Sequence, residues 1–206
     1  FASVLYKGLL FMSIGAVFMR TGTDQASALG GLARDMPWTA GFSLIGALSI
    51  ASMPLFSGFA TKALTIGAVA KQGELLVWLG LLFASVGVLL HTALKIPYAT
   101  FFAPNPKITA DEAPLNMRVA MALAAGLCLV IGLYPGALYA LLPYEVTYKV
   151  WDSGHVLGEL QLLAFVALAF TLMVRRGIYP LHADRTIIYT DWLTRRAMPL
   201  MVMALG

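Results

Sequence analysis

Long apolar runs dominate this sequence and limit the folds that it can adopt. A helix needs about 20 mostly apolar residues to cross a bilayer. Five stretches approach or exceed that length, namely residues 1–19, 38–71, 75–103, 116–142 and 158–176. Charged residues make up 12% of the 206 residues, whereas soluble domains carry about 25%. The sequence therefore predicts an all-α, polytopic transmembrane helical bundle, with residues 1–206 in a single membrane domain.

Composition also narrows the possible functions. The single cysteine, Cys128, lies inside an apolar run, so neither a disulfide framework nor a cysteine metal site is expected. No Ser/His/Asp, metal-binding or phosphate-binding pattern is recognisable in the sequence. The net charge of +4 comes from basic residues that flank apolar runs, which is typical of membrane topology rather than nucleic-acid binding. We expect a protein that is not an enzyme and has no cofactor, metal or nucleic-acid partner.

The two ends of the chain suggest that more protein surrounds it. The sequence begins at Phe1, without Met and already within an apolar run, and it stops at Gly206 part-way through another. We expect the chain to be the C-terminal part of a longer membrane protein.

The run over residues 38–71 is long for one crossing and short for two. As a helix, its 34 residues would extend about 50 Å, against a hydrocarbon core of about 30 Å. A single crossing places nine basic residues on one side of the membrane and Lys71 and Lys149 on the other. The nine are Arg20, Arg34, Lys107, Arg118, Arg175, Arg176, Arg185, Arg195 and Arg196. Two crossings would divide the basic residues about seven to four, so the positive-inside rule favours one crossing with the nine-residue side cytoplasmic.

A helix break is predicted in the middle of this run. Pro54 removes a backbone donor, and Ser57 and Gly58 let the chain leave helical geometry. Non-helical backbone at membrane depth is tolerated inside protein or beside a water-filled cavity. Lys62 follows the break by one turn. A discontinuous helix with a lysine beside its break is typical of an ion or proton site.

Three lysines fall within apolar runs, at Lys7, Lys62 and Lys95. A lysine removed from water releases its proton more readily, so it can exchange protons near neutral pH. Lys62 lies near mid-bilayer, too deep to extend easily to the surface, and is interpreted as functional. Lys7 has an uncertain depth and is either functional or extends to the interface. Position alone favours an interfacial ammonium group for Lys95.

His91 precedes Lys95 by four residues, so the two share a helix face. This spacing is compatible with a proton relay towards the cytoplasm and equally with a hydrogen-bonded structural histidine. The acidic residues fall in loops or at the starts of runs, as Glu74 and Glu159 do. We therefore expect no buried carboxylate within this chain to pair with the lysines.

Residues 181–196 mix charges and aromatic side chains, which favours a segment along the membrane surface. Tyr189 and Trp192 suit the headgroup level, and the arginines favour an anionic cytoplasmic leaflet. Whether this interfacial segment contacts neighbouring subunits or lipid alone is left open by the sequence.

Two stretches carry a resemblance to a known family. LYKGLLFMSIGAVFMRTGT and LGGLARDMPWTAGFSLIGALSIASMPLFSGFATKALTI resemble the antiporter-like subunits of complex I and of multisubunit Mrp cation/proton antiporters. The shared pattern is a lysine helix followed by LLF, a GGL loop, MP-x-T, and P-x-x-x-G-F-x-x-K. Later stretches, LYPGALYALLPYEV, HVLGELQLLAFVALAF and YTDWLTRR, are more similar to the D-type member among the Mrp subunits.

The resemblance implies roles for two of the lysines. Lys62 matches the lysine of the second discontinuous helix, on the outer proton half-path, and Lys7 matches the central lysine that connects the two half-paths. Many relatives have a histidine four residues before that central lysine, where this chain has Ser3. His91 and Lys95 are not part of the general motif. The chain is similar to roughly the C-terminal two-fifths of such a subunit.

The resemblance implies partners and three candidate functions. The leading one is a bacterial inner-membrane subunit of a Na⁺/H⁺-type antiporter, moving protons and monovalent cations with other subunits in the lipid bilayer. The alternative is a proton-pumping subunit of a complex I-like quinone oxidoreductase or a membrane-bound hydrogenase. A third candidate is a structural subunit that does not transport ions.

Overall fold

Helices account for most of the described chain. The computed structural model describes residues 1–179 except 24, 26, 27, 105–107 and 144–148. The α-helices are α1 (Ala2–Thr21), α2 (Pro37–Ile50), α3 (Ser57–Gln72), α4 (Leu75–Val88), α5 (Leu115–Leu133), α6 (Pro135–Tyr139) and α7 (Ser153–Arg175). Within the described residues, four helices are long and apolar enough to cross a membrane: α1, Leu75–Phe102, α5 and α7. The polytopic helical bundle is therefore confirmed. The interfacial segment predicted over residues 181–196 lies outside the described residues.

The predicted discontinuous helix is confirmed. Helices α2 and α3 contain 14 and 16 residues, so neither alone reaches the length of about 20 that a crossing needs. Residues 51–56 separate them and are not helical. Ser52 (φ 62°) and Leu55 (φ 80°) adopt left-handed backbone conformations that side-chain-bearing residues rarely occupy. Surrounding contacts must stabilise this segment, because its own conformational preferences do not.

The break lies slightly earlier in the chain than the sequence predicts. Pro54 lies within it and is buried, but Ser57 and Gly58 are the first two residues of α3. Gly58 is required for close approach rather than for leaving the helix, because a Cβ at this position would overlap the carbonyl oxygen of Ser49. The end of α2 and the start of α3 therefore pack backbone against backbone.

Helix α5 packs directly on the break. A Cβ at Gly132 would overlap the carbonyl group of Leu55 and the backbone of Phe56. Small residues at such positions let helices in membranes approach closely. The contact explains how Leu55 is held in its left-handed conformation.

Replacing Gly132 with Ala should destabilise the break. The added methyl group has no space against the Leu55 backbone, so α5 must shift, at a cost of about 1–3 kcal/mol in the free energy of unfolding. Gly126→Ala is the matched control, because a Cβ at Gly126 meets nothing within 4 Å on the same helix. Thermal unfolding of the detergent-solubilised protein measures both variants. Equal midpoints for the two would contradict the packing described here.

The helix predicted over residues 75–103 is present, but its second half is not a regular α-helix. It continues from α4 through two π-helical segments, Leu89–Lys95 and Tyr98–Phe102. Pro97, which cannot donate a backbone hydrogen bond, lies between them. Short π-helical turns are often found at functional sites, and the first segment contains both His91 and Lys95.

Helix α1 lies between α2 and α5, where it has its most extensive contacts. Leu9, Ala16 and Val17 of α1 are buried there in the largest apolar cluster. A second cluster joins Val166 of α7 to Leu89 of the first π-helical segment. Through this second cluster, α7 is placed beside the segment that contains His91.

Candidate proton-transfer site

Lys62 forms an ion pair with a carboxylate from another helix. It is the sixth residue of α3, and its Nζ lies 3.2 Å from Oε2 of Glu159 on α7. The Lys62 side chain is 19% exposed and that of Glu159 is 7% exposed. Two charges with little access to water are strongly coupled, because water screens them less than at a surface.

This ion pair corrects the expectation that no buried carboxylate in the chain pairs with a lysine. Helix α7 begins at Ser153, five residues before the predicted start at 158, so Glu159 is its seventh residue rather than an interfacial one. Asp152 is the N-cap, with its side chain accepting a hydrogen bond from the Gly154 N–H at 3.2 Å. The sequence signal for this start is an Asp followed by the helix, a common N-cap pattern.

A cleft of about 760 Å³ connects Lys62 to Lys7. It lies between α1, α3, α4 and the first π-helical segment, and both lysines line it. Its described hydroxyl-bearing residues are Tyr6, Ser52, Thr61, Thr65, Ser85 and Thr92. A space of this size, with several polar partners, can hold ordered water. A chain of water molecules and hydroxyl groups is the arrangement that proton transfer between two amines requires.

The hydroxyl groups of the cleft are oriented by their own helices. Ser85 donates to the carbonyl oxygen of Leu81 at 2.7 Å, and Thr65 donates to that of Thr61 at 3.1 Å. A hydroxyl that donates to the preceding turn keeps its oxygen lone pairs available as acceptors. These groups therefore offer acceptors to water within the cleft.

A second cavity, of about 400 Å³, brings Lys7 together with His91 and Lys95. Its lining is otherwise largely apolar. Lys7 and Thr92 line both this cavity and the cleft. The structure thus places the three predicted site lysines and the histidine along two adjoining spaces, with Lys7 at the junction. The Lys7 side chain is exposed in the described chain.

Lys95, which lines the second cavity, also contacts an aromatic ring beyond α7. Its Nζ is 5.7 Å from the centre of the Tyr179 ring, a distance typical of a cation–π contact. Tyr179 follows the end of α7, where its ring also packs on Phe170. Lys95 is therefore positioned by the C-terminal end of α7, whereas Lys62 is paired near the N-terminal end of the same helix.

Glu112, predicted as a loop residue, anchors the start of α2. Helix α2 has no side-chain cap of its own. Oε2 of Glu112 accepts from the Trp38 N–H at 2.8 Å, and Oε1 accepts from the Thr39 hydroxyl at 2.6 Å and the Ala113 N–H at 2.9 Å. Burial raises the pKa of Glu112, but these donors outweigh burial and hold its pKa below the usual range.

Replacing Glu112 with Gln should loosen the start of α2 by about 1 kcal/mol at neutral pH, the usual contribution of a helix cap. Because its pKa is lowered by folding, the carboxylate stabilises the fold above the unfolded-state pKa of about 4.3. This contribution is lost as the pH falls through the folded-state value. Thermal unfolding should therefore separate Glu112→Gln from the parent at neutral pH, and the difference should shrink in acid. A pH-independent difference would contradict this role, and Asp111→Asn, at the exposed neighbour, is the control.

Comparisons with known proteins give one family match and several similar relatives. Residues 1–91 match the family described as "NADH:quinone oxidoreductase/Mrp antiporter, TM". This match includes Lys7, Lys62 and His91, whereas Lys95 and Glu159 lie beyond it.

Similar curated proteins carry two kinds of name. Hydrogenase-4 component B of Escherichia coli (strain K12) is 36% identical over 142 residues, which cover 63% of this chain and 21% of that protein. The A subunit of the Na(+)/H(+) antiporter of Alkalihalophilus pseudofirmus is 32% identical over 151 residues, 65% of this chain and 18% of that protein. The A1 subunit of the Na(+)/H(+) antiporter of Staphylococcus aureus (strain JH9) is 36% identical over 202 residues, 91% of this chain and 25% of that protein.

The chain spans about a fifth to a quarter of the length of these relatives. Those antiporter relatives are named as A and A1 subunits, so similarity to the D-type Mrp member in particular stays a prediction. The apolar helices, the discontinuous helix with its lysine, and the match over residues 1–91 agree with one another. Over its first 91 residues, the chain is similar to the NADH:quinone oxidoreductase/Mrp antiporter family of transmembrane proteins.

Proposed function

We propose that this chain is part of a proton-translocating membrane subunit of a multisubunit monovalent cation/proton antiporter that exchanges Na⁺ for H⁺. Relatives named as Na(+)/H(+) antiporter subunits support this proposal. In it, the chain is the C-terminal part of a longer subunit in a bacterial inner membrane, and its partners are the other subunits. Protons and monovalent cations are the transported ions.

The observation that carries the proposal is the cleft shared by Lys7 and Lys62. Each amine accepts one proton to become an ammonium group and then releases it, so a proton can move from Lys7 through cleft water to Lys62. The lysines need not touch, because ordered water molecules and hydroxyl groups can bridge a gap of this size.

The second cavity supplies the cytoplasmic part of the proposed path. Lys95 and His91 line it with Lys7, so a proton from the cytoplasm can reach Lys7 through them. His91 and Lys7 both line this cavity, whereas Ser3 is not among its described lining residues. We infer that His91, from a different helix, fills the place of the histidine that many relatives have at the position of Ser3.

A redox-linked complex is the second candidate, favoured by the similarity to hydrogenase-4 component B. The proton path would be the same in such a complex, but electron transfer in other subunits would drive it. The two candidates therefore differ in the energy source rather than in the residues of this chain.

Transport by the complete assembled complex in inside-out vesicles distinguishes the two candidates. A pH gradient is imposed and followed with a fluorescent probe, without any electron donor. Addition of Na⁺ should collapse the gradient if the complex is an antiporter. The antiporter proposal would be overturned in favour of the redox-linked one by a gradient that Na⁺ does not change but that increases when a reduced electron donor is added.

A further inference from the structure

The charge pair at Lys62 extends the path beyond the cleft. Among the described residues, the cleft is lined by Lys62 but not by Glu159, although the two side chains are 3.2 Å apart. Lys62 therefore stands between the cleft on one side and α7 on the other. A proton that reaches Lys62 from the cleft has Glu159 as its neighbour on the opposite side.

Helix α7 continues this line of titratable groups towards its own start. His155 precedes Glu159 by four residues, so the two side chains are neighbours on one helix face. Glu159 is buried, His155 is partly buried, and Asp152 at the helix start is exposed. Exposure thus rises stepwise from the ion pair to the start of α7, over about 10 Å.

Apolar residues of α3 and α7 pack beside this line. Phe59, Ala60 and Ala63 of α3 form a buried cluster with Val150, and Val156 of α7 packs against it. The His155 ring lies against Phe59, with ring centres 5.5 Å apart. From α6, the Tyr139 hydroxyl donates to the Ala60 carbonyl oxygen at 2.8 Å. Among the residues that the structure describes, the titratable groups along this stretch are Lys62 on α3, Tyr139 on α6, Glu159 and His155 on α7, and Asp152 at the N-cap of α7.

We propose that Glu159 and His155 form the proton outlet of the Lys62 site, leading to the surface at the start of α7. The inference rests on the proposed function. The Lys62 ammonium gives one proton to Oε2 of Glu159, which leaves a neutral amine and a carboxylic acid. The acid passes that proton to a neutral imidazole of His155, and the imidazolium releases it to surface water. Lys62 is then reprotonated from the cleft. Each transfer is reversible, so an antiporter that expels Na⁺ runs the same steps in the opposite direction, with protons entering at the start of α7.

The predicted topology gives this outlet a direction. The single crossing of residues 38–71 puts the start of α7 on the side with few basic residues, opposite the cytoplasm. Lys95 and Tyr179 lie at the other end of α7. The outlet therefore opens on the outer face, whereas His91 and Lys95 face the cytoplasmic half.

Variants of the complete subunit in its assembled complex test the outlet. Glu159→Gln should lower cation-driven proton transport in vesicles by about 100-fold, the lower range for a positioned acid–base group. Glu159→Asp, which keeps the carboxylate, should restore part of that loss. His155→Phe keeps a ring against Phe59 but removes both nitrogens, and transport should fall by about tenfold. Glu74→Gln is the control, because Glu74 is an exposed acid at a helix start.

The rates are compared per assembled complex, so a purely structural role is separated from proton transfer. The double variant Lys62→Met/Glu159→Gln should be no slower than the slower of the two single variants, because both residues act in one step. The outlet proposal would be overturned by normal transport in Glu159→Gln or His155→Phe. It would also be overturned by equal rates for Glu159→Asp and Glu159→Gln. Loss in Lys62→Met with full transport in Glu159→Gln refutes the outlet alone, whereas full transport in both refutes the proposed function as well.

Discussion

We expect proton-coupled transport to fall to background when Lys62 is replaced by Met in the complete subunit. Met keeps roughly the volume of the lysine side chain but cannot carry a proton, so the path is interrupted between the cleft and Glu159. The variant also leaves the Glu159 carboxylate, 7% exposed, without its cation. Transport is measured as a pH change in vesicles, at equal amounts of assembled complex.

Lys62→Arg should fail as well, although it preserves the positive charge opposite Glu159. A guanidinium group does not release its proton near neutral pH, so the ion pair is kept and proton exchange is lost. Lys71→Met is the matched control, because Lys71 belongs to the same helix and is exposed. Full activity of the Arg variant would show that titration of Lys62 is not required.

Replacing Lys7 with Met should have an effect of similar size. Lys7 lines both the cleft and the second cavity, so its loss separates His91 and Lys95 from Lys62. The ion pair of Lys62 with Glu159 does not involve α1, and the fold around it should therefore remain intact.

Lys95→Met provides the comparison within the same cavity. In the proposed path, Lys95 passes protons to Lys7 from the cytoplasmic side. Protons can go around Lys95 through water more easily than around Lys7. Lys95→Met should therefore slow transport less than Lys7→Met. Equal and near-normal rates for the two variants would contradict the placement of Lys7 at the junction.

Much of the fold follows from hydropathy because membrane-spanning helices have a strong sequence signal. The four long apolar helices and the interruption of residues 38–71 were predictable in this way. The exact position of the break was not. Ser52 and Leu55 adopt left-handed conformations that neither side chain favours, and contact with α5 at Gly132 sustains that of Leu55. Such tertiary effects are invisible to local propensity.

The sequence predicts candidate site residues one by one, but not their arrangement. Lysines within apolar runs stand out because charge is costly there, so Lys7 and Lys62 are candidates from the sequence alone. Glu159 was missed because the start of α7 was placed at residue 158 instead of Ser153. The adjoining cavities depend on how α1 packs beside α3 and the first π-helical segment, which one sequence does not specify.

The central claim is that protons pass from Lys7 to Lys62 through the cleft, and blocking the cleft while keeping both lysines tests it most directly. Ala84 of α4 lines the cleft, so Ala84→Trp fills it with a large apolar ring. Leu79→Trp is the control, because Leu79 is an exposed residue of the same helix outside the described cleft lining. We predict that cation-driven proton transport in vesicles falls to background for Ala84→Trp and stays near the parental rate for Leu79→Trp, at equal assembly. Normal transport through the filled cleft would contradict the claim.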